Sequence, residues 1–320
     1  MSITPSDTKS HAQTRTSATP DIVALSAPFA KMIVFPQKWF TFIYVKKTVS
    51  HSRQLPKILL PQVVRQGWAL VTGGSSGLGL AFAHALASQG INVVVAARNE
   101  ERMKQTAAML TKEYGVETEI LHADLAERAG VEALKKRLAD DVRPISILIN
   151  NAGAGLYASM ITTDFSEIRG AAEVMGLAPM EVGGAAAVHM KRRGVGLIIT
   201  TSSVSALVPM GAYSAIKSLV KVWSDSLSLK LKGTGVLVLT FMPGWVRTEF
   251  HERSGVSNES LPEWVWMDAD RVVAETLEAA ARGKTSVTPS KRFKVISWLA
   301  VHAPQDAVKA AVVKLNKGRR

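Results

Sequence analysis

Two side chains four residues apart could exchange a proton with a substrate: Tyr213 and Lys217. On a helix that spacing sends both to one face. A phenol with an ordinary pKa of about 10 transfers protons poorly at neutral pH, and a nearby ammonium favours its phenolate. Alone, such a pair is an ordinary surface contact. A second group lies far upstream, in Thr72-Gly-Gly-Ser-Ser-Gly-Leu-Gly79. Gly73, Gly77 and Gly79 in this pattern allow a tight turn, close backbone approach to a pyrophosphate and close packing of helix on strand. The helix that follows offers free N–H groups to an anion. A third feature is Ala97-Arg98, closing the next apolar run. An acidic residue there would accept a bond from the ribose 2′-hydroxyl of NAD. Arg98 can instead hold a 2′-phosphate through paired, charge-assisted bonds, which selects NADP.

These groups need a scaffold, and the body of the chain supplies one. Short apolar runs are expected as strands at Trp68–Val71, Val93–Ala97, Glu119–His122, Ile145–Ile149, Gly196–Thr201 and Val236–Phe241. Helical stretches separate them: Leu78–Ser88, Glu100–Tyr114, Ala126–Ala139, a long region ending near His189, and Tyr213–Leu231. Val93–Ala97 is apolar throughout, as a strand buried on both faces should be. Such alternation predicts an α/β fold: a single Rossmann-like, doubly wound parallel sheet with helices on both faces. Ligands bind such sheets beyond the strand C-termini, where the winding reverses.

Four motifs in order carry a family resemblance: Thr72-Gly-x-x-x-Gly-x-Gly79, Asn150-Asn-Ala-Gly153, Tyr213-x-x-x-Lys217 and Pro243-Gly-x-Val-x-Thr248. From about residue 67 to 288 the chain resembles the classical short-chain dehydrogenases/reductases, near their long-chain 3-ketoacyl, hydroxysteroid and 3-oxo-mycolate branches. The resemblance implies a bound NADP(H). Ser75, Ser76 and Leu78 would complete the glycine turn. Asp124 would contact the adenine with Leu125 beside it, and Asn151 would support the central strand next to Ala152 and Gly153. Pro243, Gly244 and Val246 would line the cofactor, and Thr248 would bind the nicotinamide carboxamide. Tyr213 would give its proton to a carbonyl oxygen as hydride reaches the carbon. Lys217 would support the phenolate and hold the nicotinamide ribose. Ser203, just past a strand, would hydrogen-bond the same oxygen, with Ser202 as a near neighbour.

Two positions depart from the family's pattern. Met175 stands where a catalytic Asn is usual, and that Asn helps position a water joining the lysine to solvent. Met lacks its hydrogen bonds, although a backbone carbonyl could hold the water. The ten-residue step from Ser203 to Tyr213 is shorter than usual in the family, which puts the serine's reach in doubt.

Charge divides the chain of 320 residues into three parts. Residues 1–66 hold nine Lys and Arg against two Asp and Glu, and residues 281–320 hold ten against one. The intervening body has 20 against 23, so the net charge of +13 belongs to the ends. A nucleic-acid enzyme would more often carry its basic stripe on the folded domain, and no nucleic acid partner is expected. The expected organisation is an N-terminal extension (1–66), a catalytic domain (67–288) and a basic amphipathic C-terminal extension (289–320). Six aromatic residues between Phe29 and Val45, interleaved with lysines, suit an anionic membrane surface. The chain has no cysteine, and its seven histidines form no metal-spaced set. No apolar run is long enough to span a bilayer, so a cytoplasmic protein attached peripherally to the inner membrane face is expected. The small residues of Val182–Val188 would allow close helix packing, within one chain or in a homo-oligomer. After Thr248, Phe250, Leu261, Trp264, Val265 and Trp266 would make an apolar substrate lid. A lipophilic 3-oxoacyl substrate is the expectation. A hydroxysteroid or retinoid-like alcohol dehydrogenase, or a cofactor-binding scaffold silenced at Met175, is the alternative.

Overall fold

The structure, a computed structural model, describes residues 60–248 and 263–317. The aromatic and basic N-terminal stretch lies outside the described residues, as do residues 249–262 with Phe250 and Leu261.

The described chain begins with a short helix, α1 (Gln62–Arg65), and enters β1 (Trp68–Thr72). There follow α2 (Gly77–Ala87), β2 (Val93–Ala97), α3 (Glu100–Tyr114), β3 (Thr118–His122), α4 (Arg128–Leu138) and β4 (Ile145–Asn150). The second half carries α5 (Ser166–Ala172), α6 (Ala178–Arg193), β5 (Gly196–Thr201), α7 (Ala212–Lys230) and β6 (Val236–Phe241). It closes with α8 (Ala269–Ala281), β7 (Ser286–Val287), α9 (Lys291–His302) and α10 (Gln305–Lys317). The seven strands form one sheet in the order β3-β2-β1-β4-β5-β6-β7, parallel throughout. The winding reverses between β1 and β4.

Successive side chains of a strand point to opposite faces, and the core divides accordingly. Ala69, Val71, Val93, Val95, Ile147 and Ile149 pack with Phe82 and Leu86 of α2, Met103 of α3 and Val273 of α8. Leu70, Val94, Leu148 and Ile198 face the other way, onto Leu134 of α4 and Val182 and Met190 of α6. Core residues also lie on either side of the span 67–288. Leu60 and Val64 belong to the first layer, as does Phe293 of α9. The Val64 carbonyl accepts the Ser146 hydroxyl at 2.5 Å, which ties α1 to β4.

The long helical region before His189 is interrupted. A π turn, Glu173–Leu177, joins α5 to α6, and Ala178 N donates to the Glu173 carbonyl five residues back. Pro179, at the start of α6, explains it. A proline inside a helix has no N–H to donate and its ring crowds the carbonyl four residues earlier, here that of Met175. Inserting one residue into the turn relieves the clash. Asn150 Nδ2 then donates to the Pro179 carbonyl at 2.9 Å, fastening the interruption to the end of β4. Gly183 of α6 serves a contact within the chain: a Cβ there would meet the Trp223 ring at 2.5 Å.

Candidate active site

The reversal of winding places the ends of β1 and β4 side by side, and Thr72 joins them. Its hydroxyl donates to the Ile149 carbonyl (3.3 Å) and accepts from the N–H groups of Asn151 (2.9 Å) and Ala152 (3.1 Å). Asn151 Nδ2 returns a bond to the Thr72 carbonyl at 3.3 Å. The Asn-Asn-Ala-Gly segment is therefore held against the mouth of the glycine turn. Sequence reasoning missed Thr72 as an organiser, because one hydroxyl in an apolar strand carries no periodic signal.

The glycine turn itself is tight. Gly73 and Gly77 have φ of 67° and 52°, in the left-handed region that side chains avoid. A Cβ on Gly79 would lie 2.1 Å from the Gly73 carbonyl oxygen, so helix and turn meet backbone to backbone. Ser76 leads into α2 with no side chain capping its N-terminus, leaving the first N–H groups of the helix to serve an anion. Ser75, Ser76, Gly77 and Leu78 are half-buried along this turn. Thr248 lies close by, 3.2 Å from where a Gly77 Cβ would stand. Arg98 leaves β2 with its side chain exposed and Nη1 3.9 Å from Asp124 Oδ2. Asp124 accepts from Ala126 N at 2.9 Å, and Leu125 is buried beneath it. These residues fit a dinucleotide: a cradle open only where glycines stand, a helix N-terminus for the pyrophosphate, and a guanidinium beyond β2.

The cradle makes a stability prediction. Gly79→Ala forces backbone apart and should cost about 2–3 kcal/mol together with NADPH affinity. Gly184→Ala, whose Cβ meets no atom within 4 Å, should be neutral or slightly stabilising, since Ala favours helix by up to about 1 kcal/mol. Thermal denaturation and NADPH titration of both variants check this; equal behaviour would contradict it.

Beyond the end of β5 the candidate catalytic residues gather. Ser203 stands near enough to the Tyr213 phenol to oppose the rise of its pKa, and its Oγ accepts from Ser205 N at 3.1 Å, starting the 3-10 turn Val204–Leu207. Ser202 does something else: it is buried, and its hydroxyl donates to the Lys217 carbonyl at 2.8 Å. The geometry thus separates the two serines. The short step to Tyr213 does not prevent the contact, because the 3-10 turn takes up the connection. Lys217 Nζ donates to the Thr201 carbonyl at 3.1 Å and stands 5.7 Å from the centroid of the Tyr213 ring.

Burial dominates the electrostatics of the pair. Burial pushes the Tyr213 phenol up, aided by Tyr157, and the Ser203 hydrogen bond only partly opposes it. Burial also pushes the Lys217 ammonium down, to about 8. Burial thus acts on both members of the pair, against the phenolate of one and the ammonium of the other. Tyr157, in the loop after β4, is a neighbour for which the sequence held no motif.

Met175 is buried in the π turn, and a Cβ on Gly153 would touch its sulfur at 3.1 Å. It packs with Leu156, Ile168, Ala212 and Ile216, against the helix that carries Tyr213 and Lys217. Of the remaining expected residues, Ala152 is half-buried and Val246 is buried, pairing with Met267. Pro243 accepts from Val204 N at 3.1 Å. Gly244 leaves room for the Phe293 ring, 2.4 Å from where its Cβ would be. Trp264 is exposed, while Trp266 meets Trp245 edge to face at 5.8 Å.

The parallel sheet, the glycine cradle at its reversal point and the Ser-Tyr-Lys group beyond β5 define a nicotinamide-type oxidoreductase. The chain belongs to the short-chain dehydrogenase family, whose model matches residues 67–258, and it acts on CH–OH or carbonyl groups. It is 28% identical to the very-long-chain 3-oxoacyl-CoA reductase of Anas platyrhynchos over 269 residues, 78% of this chain and 80% of that one. A short-chain dehydrogenase from Sphingobium yanoikuyae, solved in complex with NADPH, superposes with a TM-score of 0.68 and 31% identity. That match covers 79% of this chain and 96% of the other. A bulky-bulky ketone specific alcohol dehydrogenase from Comamonas testosteroni matches with a TM-score of 0.64 and 29% identity, covering 73% and 92%.

Proposed function

We propose that the chain is an NADPH-dependent carbonyl reductase acting on a lipophilic, long-chain 3-oxoacyl substrate of the fatty-acyl or mycolate type. The observation that carries this reading is the meeting of Ser203, Tyr213 and Lys217 beyond β5, on the sheet edge that holds the glycine cradle. A nicotinamide cofactor held in the glycine cradle would supply the hydride. Tyr213, whose phenol burial keeps protonated, donates its proton to the substrate's carbonyl oxygen. Ser203, beside that phenol, orients the same oxygen. Lys217, with its ammonium at about 8, gains and loses a proton near neutrality and so can restore the phenol.

Met175 removes a side-chain station from the route between Lys217 and solvent. Pro179 supports a replacement: lacking an N–H, it leaves a carbonyl of the π turn without its helical donor. The turn packs against α7, so that carbonyl can hold a water for the lysine.

The 3-oxoacyl assignment draws on the name of the Anas platyrhynchos relative. Apolar exposure beside the site supports it, since the segment after β4 presents Tyr157, Met160, Ile161 and Phe165 to solvent. A bulky ketone of hydroxysteroid type is the second reading, favoured by the likeness to the Comamonas testosteroni enzyme. A chain-length series of 3-oxoacyl-CoA esters beside a steroid ketone separates them. The first reading expects kcat/KM to climb with chain length; a flat series with a faster steroid would transfer the assignment to the second.

Arg98 carries the cofactor preference. Arg98→Ala should weaken NADPH by about 1.5–3 kcal/mol, the range for a charge-assisted bond, and leave NADH nearly unchanged. Equal losses for both cofactors in fluorescence titration would refute the role.

A further inference from the structure

The last two helices leave an apolar face uncovered. In α9, Phe293 enters the core, with Ser297 and Ala300 on the same inward side. The opposite side presents Val295, Trp298 and Leu299 to solvent, at 58%, 58% and 41% exposure. Val301 and, on α10, Val313 are also exposed. At 100° per residue, Val295, Trp298 and Leu299 share one stripe, and Lys291 and Lys294 border it. Apolar side chains on a helix that already has a buried face are not needed to hold that helix down. They mark a surface that meets something else.

We infer that α9 and α10 form a docking surface for an anionic phospholipid bilayer. The charge of this segment calls for an anionic partner. Residues 291–320 hold eight Lys and Arg against the single Asp306. Residues 1–59 are themselves basic, with eight Lys and Arg against two Asp, so their charge does not complement this face. A second copy docked through the same face would bring like charge against like. Anionic headgroups attract the lysines, while Trp298 suits the boundary between headgroups and acyl chains. The geometry fits lying on a bilayer and not crossing it. With 12 residues α9 is about 18 Å long, short of the hydrocarbon core of about 30 Å. Among the described residues no helix is long and apolar enough to cross a membrane.

The position of α9 gives the surface a use. The helix packs against the 3-10 turn Val204–Leu207 that follows Ser203, and its Phe293 fills the space beside Gly244. A bilayer seated on α9 therefore lies next to the mouth of the reacting groups, where an acyl chain could pass from lipid to site. That consequence rests on the function proposed above; the docking does not.

Vesicle flotation of the full chain without substrate tests the docking separately from turnover. Phosphatidylglycerol-rich vesicles should carry the protein up, and pure phosphatidylcholine vesicles should do so weakly. The double variant Trp298→Ser/Leu299→Ser should lose about tenfold in partitioning, and Lys291→Gln/Lys294→Gln about tenfold on anionic vesicles alone. Both pairs are solvent-exposed, and retained NADPH binding certifies their folding. Val188→Ser, at an exposed apolar site on α6, should change nothing. The inference is overturned if the wild type stays at the bottom, or if both double variants float as it does. It is equally overturned if the Trp298 variant instead dissolves a self-associated species in sedimentation velocity while wild-type flotation is absent.

Discussion

Tyr213→Phe should lower turnover by about three orders of magnitude and leave NADPH affinity within about twofold of wild type. The substitution removes one oxygen and its proton and keeps the ring, so packing among Met175, Ala212 and Ile216 survives. What is lost is the donor to the developing alkoxide, a role worth about 10²–10⁴ in rate for a positioned general acid. The structure adds a reason for the direction of the chemistry. Burial holds the phenol above its ordinary value, so the protonated form needed for carbonyl reduction prevails at neutral pH. Alcohol oxidation needs the phenolate and should demand higher pH. Turnover measured beside NADPH titration checks the prediction; a variant with near wild-type kcat would remove Tyr213 from its role.

Lys217→Met should abolish turnover while making the cofactor-free protein more stable at neutral pH, by about 2 kcal/mol. Lys217 is 4% exposed, and burial alone moves its ammonium from the usual 10.5 to about 8. A fold that disfavours the charged form to that extent spends about 3 kcal/mol on it below pH 8. Met has similar length, no charge and no desolvation cost, and forfeits about 1 kcal/mol for the bond to Thr201. The sign follows from the lowered value. Below pH 8 lysine is protonated in both folded and unfolded chains, and the wild type carries the whole cost. As pH rises from about 8 toward 10.5 the folded amine loses its proton first, stability recovers, and the advantage of Met fades. Urea denaturation at pH 7 and pH 10 measures this; a variant less stable at pH 7 would contradict it.

The sequence made the scaffold legible to different depths. β2, β5 and β6 stand where the sequence places them, because strands buried on both faces read as continuous runs of apolar and β-branched residues. β7 was invisible, since two residues carry no period. The interruption before α6 was legible in principle: Pro179 lies inside the helical pattern, but the surrounding apolar residues masked it. At the site, the glycine cradle and the Tyr213/Lys217 pair stood out because spacing defines them. The division of labour between Ser202 and Ser203 did not, because two adjacent hydroxyls differ only in where a turn points them. Nor could spacing tell that Lys217 would be desolvated along with its phenol. Burial of a lysine is a property of the packed layers and not of four-residue spacing. Met175 was recognisable as a departure, yet its seat against Gly153 depends on the π turn.

The most direct measurement is NADPH oxidation with a detergent-dispersed long-chain 3-oxoacyl-CoA ester, wild type beside Tyr213→Phe. The account predicts turnover confined to the wild type, with both proteins binding NADPH. NADPH binding by both without turnover of long-chain 3-oxoacyl or bulky ketone substrates would contradict it, and would mark the chain as a cofactor-binding scaffold.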